Sequence, residues 1–524
     1  MEFKVLLKTT TSLTIELENQ EPFNNDCKYD VYLNDELVVK SIDNNIFSLY
    51  KLAPNTTYRV TLTNERGVTK TKSIQTNSES VCLNVRRFNA KGDGKTDDTV
   101  AIQAAIMSCP KNGRVLIPKG NYVVKTIFLK SNFTLELQKG AKLIYDGAFY
   151  EGAILPGYTT YQDNEEYYLG SWEGNPLDTY AALIQGINVE NVNIIGEGIL
   201  EGNGAKWWDS PKIKRGAWRP RLFQIIHSKQ VTVQGITLQN SPSWTIHPLF
   251  SDDLKFIDLK IINPKDSPNT DGLNPESCER VLIAGVYFSV GDDCIAIKSG
   301  KIYLGQRLKK SSKDIVIRNC SMNFGHGAVV IGSEMAGGVR KVCVTQCLFN
   351  ETDRGLRIKT RRGRGKDAVV ESIHFQNIKM NQVLTPFVIN SFYFCDPDGH
   401  SEYVKTKEKL PVDDRTPLIR DFLFENIKCI DSEVAAGFFY GLPEKAIEKI
   451  RLKNCYFSFK SEAEPGYPAM MDDIPAYSKA GLIFNNVEEL ILENIGFSGV
   501  EGENIVVNQI QKVEMKNVYT ESGS

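Results

Sequence analysis

The sequence of 524 residues predicts an all-β protein, in which a right-handed parallel β-helix follows a small β-sandwich. Three observations lead to this prediction. Short segments of alternating apolar residues recur through most of the chain, only one segment has a convincing amphipathic helical pattern, and the pattern changes near residue 80. The predicted domains are 1–80 for the sandwich and 81–524 for the β-helix.

Residues 1–80 contain short β-forming runs separated by polar turns, such as SLTIELE, KYDVYLNDELVV and TYRVTLTN. The stretch LAPNTTY, which ends at Tyr58, resembles the tyrosine corner of fibronectin type III domains, where a tyrosine ties a loop to the backbone. We therefore predict a fibronectin type III-like sandwich, separated from the rest by the polar segment QTNSES.

The one amphipathic helix is predicted near 97–107, with Thr96 or Asp97 as its N-cap. Its apolar stripe consists of Val100, Ile102, Ala105 and Ile106. A helix at this place would cover the first open end of a stack of β-turns, which otherwise exposes a sheet edge.

Beyond the helix, a five-residue pattern recurs ten times. Its first and third positions are apolar, its second and fourth are variable, and its fifth is often Asn or Gly. The pattern starts at Val192, Val231, Leu254, Val281, Ile315, Val342, Ile373, Phe422, Ile450 and Leu490. Successive starts are 39, 23, 27, 34, 27, 31, 49, 28 and 40 residues apart, which indicates one structural unit per step with loops of different length.

A large β-sandwich is the alternative explanation for this alternation. A sandwich would show paired hairpin signals such as Asn-Gly, and these are scarce here. We therefore favour a parallel β-helix, in which asparagines at one repeated position stack their amides in a ladder.

Several polar residues fall at similar positions on consecutive predicted turns. Asp271, Asp292 and His326 follow their strand starts by 17, 11 and 11 residues, and Arg357 and Lys359 by 15 and 17. Strands of adjacent turns lie about 4.8 Å apart, so the set would form a strip roughly 15 Å long on one face. Such a strip suits a few units of a polymer.

Three carboxylates in this strip, including Asp293, cannot all ionise freely, because like charges and burial raise the pKa of at least one. A protonated carboxylic acid beside an ionised carboxylate is the equipment for glycoside hydrolysis. Asp292 and Asp293 would point apart in a regular strand, so we expect Gly291 to allow a bend that turns both toward the groove.

The run RIKTRRGRGK begins at Arg357, and six of its ten residues are cationic. A solvated basic loop is one interpretation. A nucleic-acid patch has no support, because aromatic residues are absent from the run and the net charge is −2. Beside a carboxylate cluster, the run is better interpreted as a receptor for an anionic substrate.

The motifs NTDG, GDDC, GHG and RIK, in this order and spacing, resemble glycoside hydrolase family 28, the polygalacturonases. The resemblance runs from about residue 82 to the C-terminal region, and the predicted helix resembles the N-terminal cap of pectin-degrading β-helix enzymes. It implies hydrolysis of (oligo)galacturonate with inversion of configuration. The resemblance also implies a role for each residue. Asp292 would be the general acid, Asp271 and Asp293 would activate the attacking water, and His326 would tune the protonation of the acid. Arg357 and Lys359 would bind a sugar carboxylate, Asn269 would support Asp271, and Tyr393 would contact the substrate.

Two long segments, 150–180 and 395–420, interrupt the repeat and would act as walls that turn the groove into a pocket. Together with the N-terminal module, which resembles that of bacterial exo-polygalacturonases, they favour exo action with release of mono- or digalacturonate. A Ca²⁺-dependent pectate lyase on the same fold and a non-catalytic sugar-binding β-helix remain the alternatives.

Composition adds several expected absences. No metal or other cofactor is predicted, since no His or Cys spacing suits zinc. We expect no nucleic-acid or membrane partner, and the oligomeric state stays open. The lack of a signal-peptide pattern and the 11 cysteines set in β-like runs favour the cytoplasm, or secretion if a leader was removed.

Overall fold

The computed structural model describes residues 2–146, 152–160, 166–209 and 216–521. Its main feature is a 28-stranded sheet whose neighbouring strands run parallel from Gly113 onward. This arrangement confirms the predicted β-helix with a small β-domain ahead of it. None of the described helices is long and apolar enough to cross a membrane.

Each turn of the coil contributes strands to three rows, which we call rows A, B and C in the order in which a turn passes through them. Row A has Cys82–Asn84, Gly113–Ile117, Phe133–Leu137, Glu190–Gly196, Lys229–Gln234, Asp252–Ile257, Glu279–Ala284, Ser312–Arg318 and Val339–Thr345. Row B has Asp93–Asp97, Gly120–Val124, Ala141–Tyr145, Ile199–Glu201, Thr237–Gln239, Lys260–Ile262, Tyr287–Val290, Ser321–Phe324 and Leu348–Asn350. Row C has Ile127–Phe128, Ile184–Ile187, Phe223–Ile226, Ile246–Leu249, Ile295–Ile297, Val329–Gly332, Arg354–Lys359, Thr385–Asn390 and Ala435–Tyr440.

In the last turns the strands fuse across the corners. Val369–Asn381, Leu418–Ser432 and Ile447–Phe459 run through rows A and B, and Ala480–Ser498 and Ile505–Thr520 run through all three rows. Short strand pairs decorate the first long insertion, namely Ile154–Leu155 with Thr179–Tyr180, Thr159–Thr160 with Glu166–Tyr167, and Ser171–Trp172 with Asn175–Pro176. Apart from the capping helix, the helices within the described residues are Val85–Phe88, Ala205–Trp208, Ile302–Leu308 and Glu402–Lys405.

Row A has the register that the sequence repeat predicts. Each of the ten pattern starts pairs with the next one, from Val192 with Val231 to Ile450 with Leu490. Side chains alternate between the two faces of a strand, so the apolar positions of the pattern point into the coil. There they form one continuous hydrophobic core along the axis.

The fifth residue of the pattern forms the bend from row A to row B, and all ten bend residues have positive φ. They are Gly196, Gly235, Asp258, Gly285, Asn319, Gln346, Asn377, Asn426, Asn454 and Asn494. Gly, Asn and Asp tolerate this left-handed conformation best, which explains the composition of the position. The amides of the last asparagines form the predicted ladder, since Asn426 donates to Asn377 at 3.1 Å and Asn454 donates to Asn426 at 3.0 Å.

The first seven strands form two antiparallel sheets. One contains Phe3–Lys8, Leu13–Leu17 and Ile46–Leu49, and the other contains Asn24–Leu33, Glu36–Asn44, Thr57–Asn64 and Thr69–Gln75. The sheets enclose their own core, and the Tyr58 hydroxyl accepts a hydrogen bond from the Ala53 backbone N–H at 2.8 Å. This contact has the geometry of a tyrosine corner. The fibronectin type III relationship of the module stays a prediction.

The N-terminal module packs against the bend column of the coil. The side chain of Arg318 donates two hydrogen bonds to the buried Glu16, and Asn45 donates to Asn319 at 3.0 Å. A Cβ at Gly235 would lie 2.1 Å from the Tyr50 hydroxyl oxygen, so glycine is required for this close approach.

The capping helix extends over Thr99–Ser108. Ile102, Ala105 and Ile106 are buried, whereas Val100 is 79% exposed, so the predicted stripe was wrong at that position. The N-cap residue is Asp98 rather than Thr96 or Asp97, and its carboxylate accepts hydrogen bonds from the backbone of the preceding loop, at Lys91 and Gly92. The carboxylate therefore orders the loop that leads into the helix.

Candidate active site

The predicted polar strip lies at the corner where row B ends and row C begins. Backbone pairing fixes the register of this corner: Ile295 pairs with Leu273 on the preceding turn and with Val329 on the following turn. Asp271 and Asp293 each lie two residues before their paired position, so they occupy equivalent places on adjacent turns. Asp292 and His326 each lie three residues before it and are equivalent in the same way. The coil thus brings together residues that are far apart in sequence.

The three aspartates form a compact cluster. One carboxylate oxygen from each of Asp271, Asp292 and Asp293 lies within 4.8 Å of the others. Asp292 and Asp293 lie in a bend between Tyr287–Val290 and Ile295–Ile297, not in a strand, so the alternation of strand side chains does not separate them. A Cβ at Gly291 would lie 2.5 Å from the Pro264 carbonyl oxygen, which explains why glycine begins this bend.

Asp293 is the carboxylate with direct cationic partners. Lys359 Nζ donates to Asp293 Oδ2 at 2.8 Å, and Arg357 Nη1 lies 3.7 Å from Oδ1. Burial alone would raise the pKa of Asp293, but the charges of Lys359 and Arg357 outweigh burial and lower it. Oδ1 is buried and accepts no hydrogen bond from the described residues.

In the other two carboxyl groups the pKa is raised rather than lowered. Burial raises the pKa of Asp271 well above its usual range, and the neighbouring Asp292 adds to this effect. Burial and then the charge of Asp293 raise the pKa of Asp292. The cluster therefore combines one ionised carboxylate with two groups that tend to hold a proton.

His326 lies beside Asp292 on the next turn. Its Nδ1 is 2.8 Å from Asp353 Oδ2, and this hydrogen bond raises the pKa of His326 against the effect of burial. The two glycines of GHG fit this corner: Gly325 has φ +73° and a Cβ there would lie 2.5 Å from the Asp292 carbonyl oxygen. A Cβ at Gly327 would lie 2.4 Å from Val330 Cγ2, which explains the second glycine.

Asn269 and Tyr393 also line the cavity. The Asn269 side chain accepts a hydrogen bond from Arg219, whereas the hydrogen bond to Asp271 comes from Asn274 at 2.8 Å. Asn274, which the sequence analysis missed, is thus the direct support of that carboxylate. Tyr393 is 8% exposed, and its ring centroid lies 5.8 Å from Lys359 Nζ.

The cluster opens into a cavity of about 510 Å³. Glu173 from the first long insertion and Cys395 and Asp396 from the second line it, as predicted for walls. Residues 150, 151 and 161–165 of the first insertion lie outside the described residues. A third insertion between Phe459 and Ala480, which the sequence analysis missed, contributes Met470.

The basic run divides into two halves with different surroundings. Arg357 and Lys359 line the cavity, as expected for a substrate receptor. The next three arginines are buried and hold the insertions instead: Arg361 and Arg364 bond to Asp398 and Asp396, and Arg362 forms a bidentate pair with Glu444. The interpretation of the whole run as a receptor was therefore wrong beyond Lys359, because these guanidinium groups already have carboxylate partners.

A second charged pair that the sequence analysis missed lines the same cavity. Lys298 Nζ donates to Glu334 Oε2 at 2.8 Å and lies 4.6 Å from the ring centroid of Trp244. Burial alone would raise the pKa of Glu334, but the positive charges of Lys298 and Lys301 hold this pKa at about 2. The sequence contained a signal that could have identified Lys298. Ile295 and Leu356 occupy equivalent positions two turns apart, and Lys298 follows the first by three residues as Lys359 follows the second.

A parallel β-helix with clustered carboxyl groups that differ in their tendency to ionise, in a cavity that Arg357 and Lys359 also line, is the arrangement expected of an enzyme that cleaves a glycosidic bond. A family model described as "Glycosyl hydrolases family 28" matches residues 110–414, which include all the residues of the polar strip. The chain belongs to this family.

Named relatives agree with this membership. A "Probable polygalacturonase" from Vitis vinifera is 32% identical over 323 residues, which are 60% of this chain and 63% of the relative. An "Exo-poly-alpha-D-galacturonosidase" from Dickeya chrysanthemi is 25% identical over 498 residues, 80% of each chain. This chain thus spans less than two thirds of the grape relative.

Two solved structures have the same architecture. The family 28 exopolygalacturonase of Yersinia enterocolitica has a TM-score of 0.71 at 20% identity and covers 99% of this chain and 98% of its own. At that identity the likeness concerns the fold. The hyperthermoactive exopolygalacturonase of Thermotoga maritima has a TM-score of 0.61 at 26% identity and covers 82% of this chain and 91% of its own.

Proposed function

We propose that the protein is an exo-acting polygalacturonase that hydrolyses α-1,4-galacturonosidic bonds of polygalacturonate or its oligomers and releases mono- or digalacturonate. The observation that carries this proposal is the cluster of Asp271, Asp292 and Asp293, in which only Asp293 contacts Lys359 and Arg357 directly. The relatives named polygalacturonase and the family membership support the choice of substrate.

In the proposed reaction Asp292 is the general acid. Its raised pKa keeps a proton available for the glycosidic oxygen as the bond to the anomeric carbon breaks. Asp293 is the general base that takes a proton from the attacking water, because the charges of Lys359 and Arg357 favour its ionised form. Asp271 has a raised pKa and suits the positioning of that water better than the removal of its proton.

The substrate carboxylate is proposed to meet Arg357 and Lys359. Arg357 Nη2 contacts the Met470 sulfur at 2.8 Å, a weak acceptor, so a carboxylate of the substrate would replace a poor partner by a strong one. Tyr393 and Asn269, both at the cavity wall, are proposed to contact the sugar ring.

Asp292→Asn tests the acid. We expect hydrolysis to fall by a factor of about 10³ or more, since proton donation to the leaving group is lost, while the affinity for a galacturonate oligomer stays within a few fold. Turnover and calorimetric binding measure the two effects. Unchanged hydrolysis would refute the assignment, and lost binding together with lost hydrolysis would favour a structural role.

A time course with defined galacturonate oligomers tests the exo mode. Accumulation of monomer or dimer from the first minutes is expected, and a ladder of intermediate sizes would contradict it. Proton NMR of the new anomeric centre in the same experiment tests inversion. The carboxylate spacing here is shorter than the roughly 6.5–9.5 Å usual for inverting enzymes, so inversion rests on the family resemblance alone.

A calcium-dependent lyase is the second candidate, because three carboxylates at this spacing could also hold a cation. The lyase would form an unsaturated product that absorbs in the ultraviolet, and EDTA would stop it. For the proposed hydrolase we expect reducing ends without ultraviolet absorption and no loss of activity in EDTA. A sugar-binding protein without catalysis would give neither product.

A cytoplasmic location remains part of the proposal. All 11 cysteines are free thiols and most are buried in the coil, as suits a reducing compartment. Imported oligogalacturonides would be the substrate there. Fractionation of cells that express the native gene would test the location.

A further inference from the structure

Lys301 lies at the place where the two predicted walls of the cavity meet. It follows Ile295–Ile297 of row C, and its side chain is 16% exposed. Lys301 Nζ is 3.1 Å from Asp396 Oδ1 of the second insertion and 3.8 Å from Glu173 Oε2 of the first. One cation thus joins segments more than 200 residues apart in sequence.

The Asp396 side of this contact is firmly held. Asp396 also accepts a hydrogen bond from Arg364 at 2.7 Å and lies 3.5 Å from Arg361 Nε. Positive charge from Arg364 and Lys301 lowers the pKa of Asp396 against the effect of burial. The carboxylate is therefore ionised and fixed to the coil through the second half of the basic run.

The Glu173 side has fewer partners. Glu173 is 44% exposed at its side chain, and it lies in the turn between the paired strands Ser171–Trp172 and Asn175–Pro176. A Cβ at Gly174 would lie 2.6 Å from the Lys301 backbone nitrogen, so the tip of the first insertion rests directly on Lys301. The backbone and the ammonium group of one residue thus hold this tip.

We call the contact that Glu173 and Asp396 make through Lys301 the seam between the two insertions. From these contacts we propose that Lys301 closes this seam and thereby sets the exo mode of the enzyme. The inference rests on the proposed function and names the residue that limits how much chain fits on one side of the scissile bond. Lys301 is a positioning residue in this proposal: it acts through the walls and takes no part in bond cleavage.

Lys301→Met keeps the aliphatic stem and removes the charge, so the seam loses its cation. The test measures the loss of viscosity of long polygalacturonate per reducing end released. We expect this ratio to rise several-fold over the wild type and oligomers of intermediate size to appear, because longer chains would pass the opened seam. Because Lys301 also lines the cavity beside Glu334, kcat on a galacturonate trimer is measured as well, and a fall in kcat with an unchanged viscosity ratio would overturn the proposed role.

Three further variants keep the test decisive. Lys301→Arg should restore the wild-type ratio, because a guanidinium group can reach both carboxylates. Glu173→Gln, which breaks only the weaker contact, should raise the ratio by a smaller factor. Lys310→Met is the matched control: it removes an ammonium group 3.1 Å from Asp252 and away from the cavity lining, and the ratio should not change.

The outcomes separate this inference from the proposed function. A wild type that produces monomer or dimer while Lys301→Met keeps the same viscosity ratio would overturn the role of Lys301 alone. A raised KM on the trimer with an unchanged product pattern would overturn it as well, because it would make Lys301 a substrate ligand. A wild type that does not cleave galacturonate oligomers would refute the proposed function itself.

Discussion

Asp353 determines the state of His326 at the scale of single residues. Its carboxylate accepts the Nδ1 hydrogen bond, so Nε2 is the ring nitrogen that remains for other contacts. The raised pKa of His326 keeps the ring positive to a higher pH than an ordinary histidine. A positive ring opposes the rise in the pKa of Asp292 and so limits how strongly the acid holds its proton.

Asp353→Asn should lower the pKa of His326, because the neutral amide no longer stabilises the imidazolium. NMR titration of the ring protons measures this shift, and the chain has only five histidines to assign. We expect the alkaline limb of kcat/KM to move to higher pH, because a ring that loses its charge more easily no longer opposes the rise in the pKa of Asp292. Asp472→Asn, which alters the similar exposed pair between Asp472 and His400, is the control and should leave His326 unchanged. An unshifted His326 resonance would contradict the role of Asp353.

The bend from row A to row B is the element that repeats most strictly. The residue at this bend has a left-handed backbone conformation. In the last turns it also has a side-chain amide that forms hydrogen bonds with the turns above and below. Both properties favour asparagine over any apolar residue. The bend is therefore stabilised by backbone preference and by hydrogen bonds at once.

Two substitutions at Asn426 separate these contributions. Asn426→Gly loses the ladder hydrogen bonds but keeps the backbone freedom, and should lower the free energy of unfolding by about 1 kcal/mol. Asn426→Ala should cost about 2–3 kcal/mol, since the left-handed conformation adds about 1–2 kcal/mol. Denaturant unfolding of the three proteins measures the difference. Equal losses would mean that the backbone conformation contributes nothing.

Strand register was predictable because a period of two with buried apolar positions leaves one alignment of successive turns. The same register, deduced from the spacing of the repeat alone, placed Asp271, Asp292 and His326 on neighbouring turns. It could not assign Arg361 and Arg364, because their partners Asp398 and Asp396 lie on an insertion without a repeat. Met470 was missed for the same reason: a loop between two strands has no periodicity that fixes where it folds.

The N-terminal module and the coil form one body at the scale of the whole molecule. Glu16 has a 5% exposed side chain and binds Arg318 of the coil. Burial alone would raise the pKa of Glu16, but Arg318 outweighs burial and lowers it. No residue of 2–80 is among those that line the described cavity, so the module contributes through docking rather than through substrate contact.

Arg318→Met should destabilise this docking by about 3–5 kcal/mol, because it removes the main partner of a buried carboxylate. Scanning calorimetry at neutral pH should show an earlier transition for the module. The difference from the wild type should shrink as the pH falls through the lowered pKa of Glu16, where the carboxylate becomes neutral in both proteins. Arg280→Met removes the exposed pair with Asp253, which solvent screens, and should leave the transition unchanged.

The composition of the bend column also determines where the N-terminal module can dock on the coil. Glycines stand at two corners that the module covers, at Gly235 against Tyr50 and at Gly285 against Ile46, whereas asparagines occupy most of the later bends. A Cβ at either corner would lie within 3 Å of these side chains, so the module would have to move away from the coil to admit an asparagine there. The two glycines are therefore part of the docking surface, although neither of them has a side chain to contribute a contact.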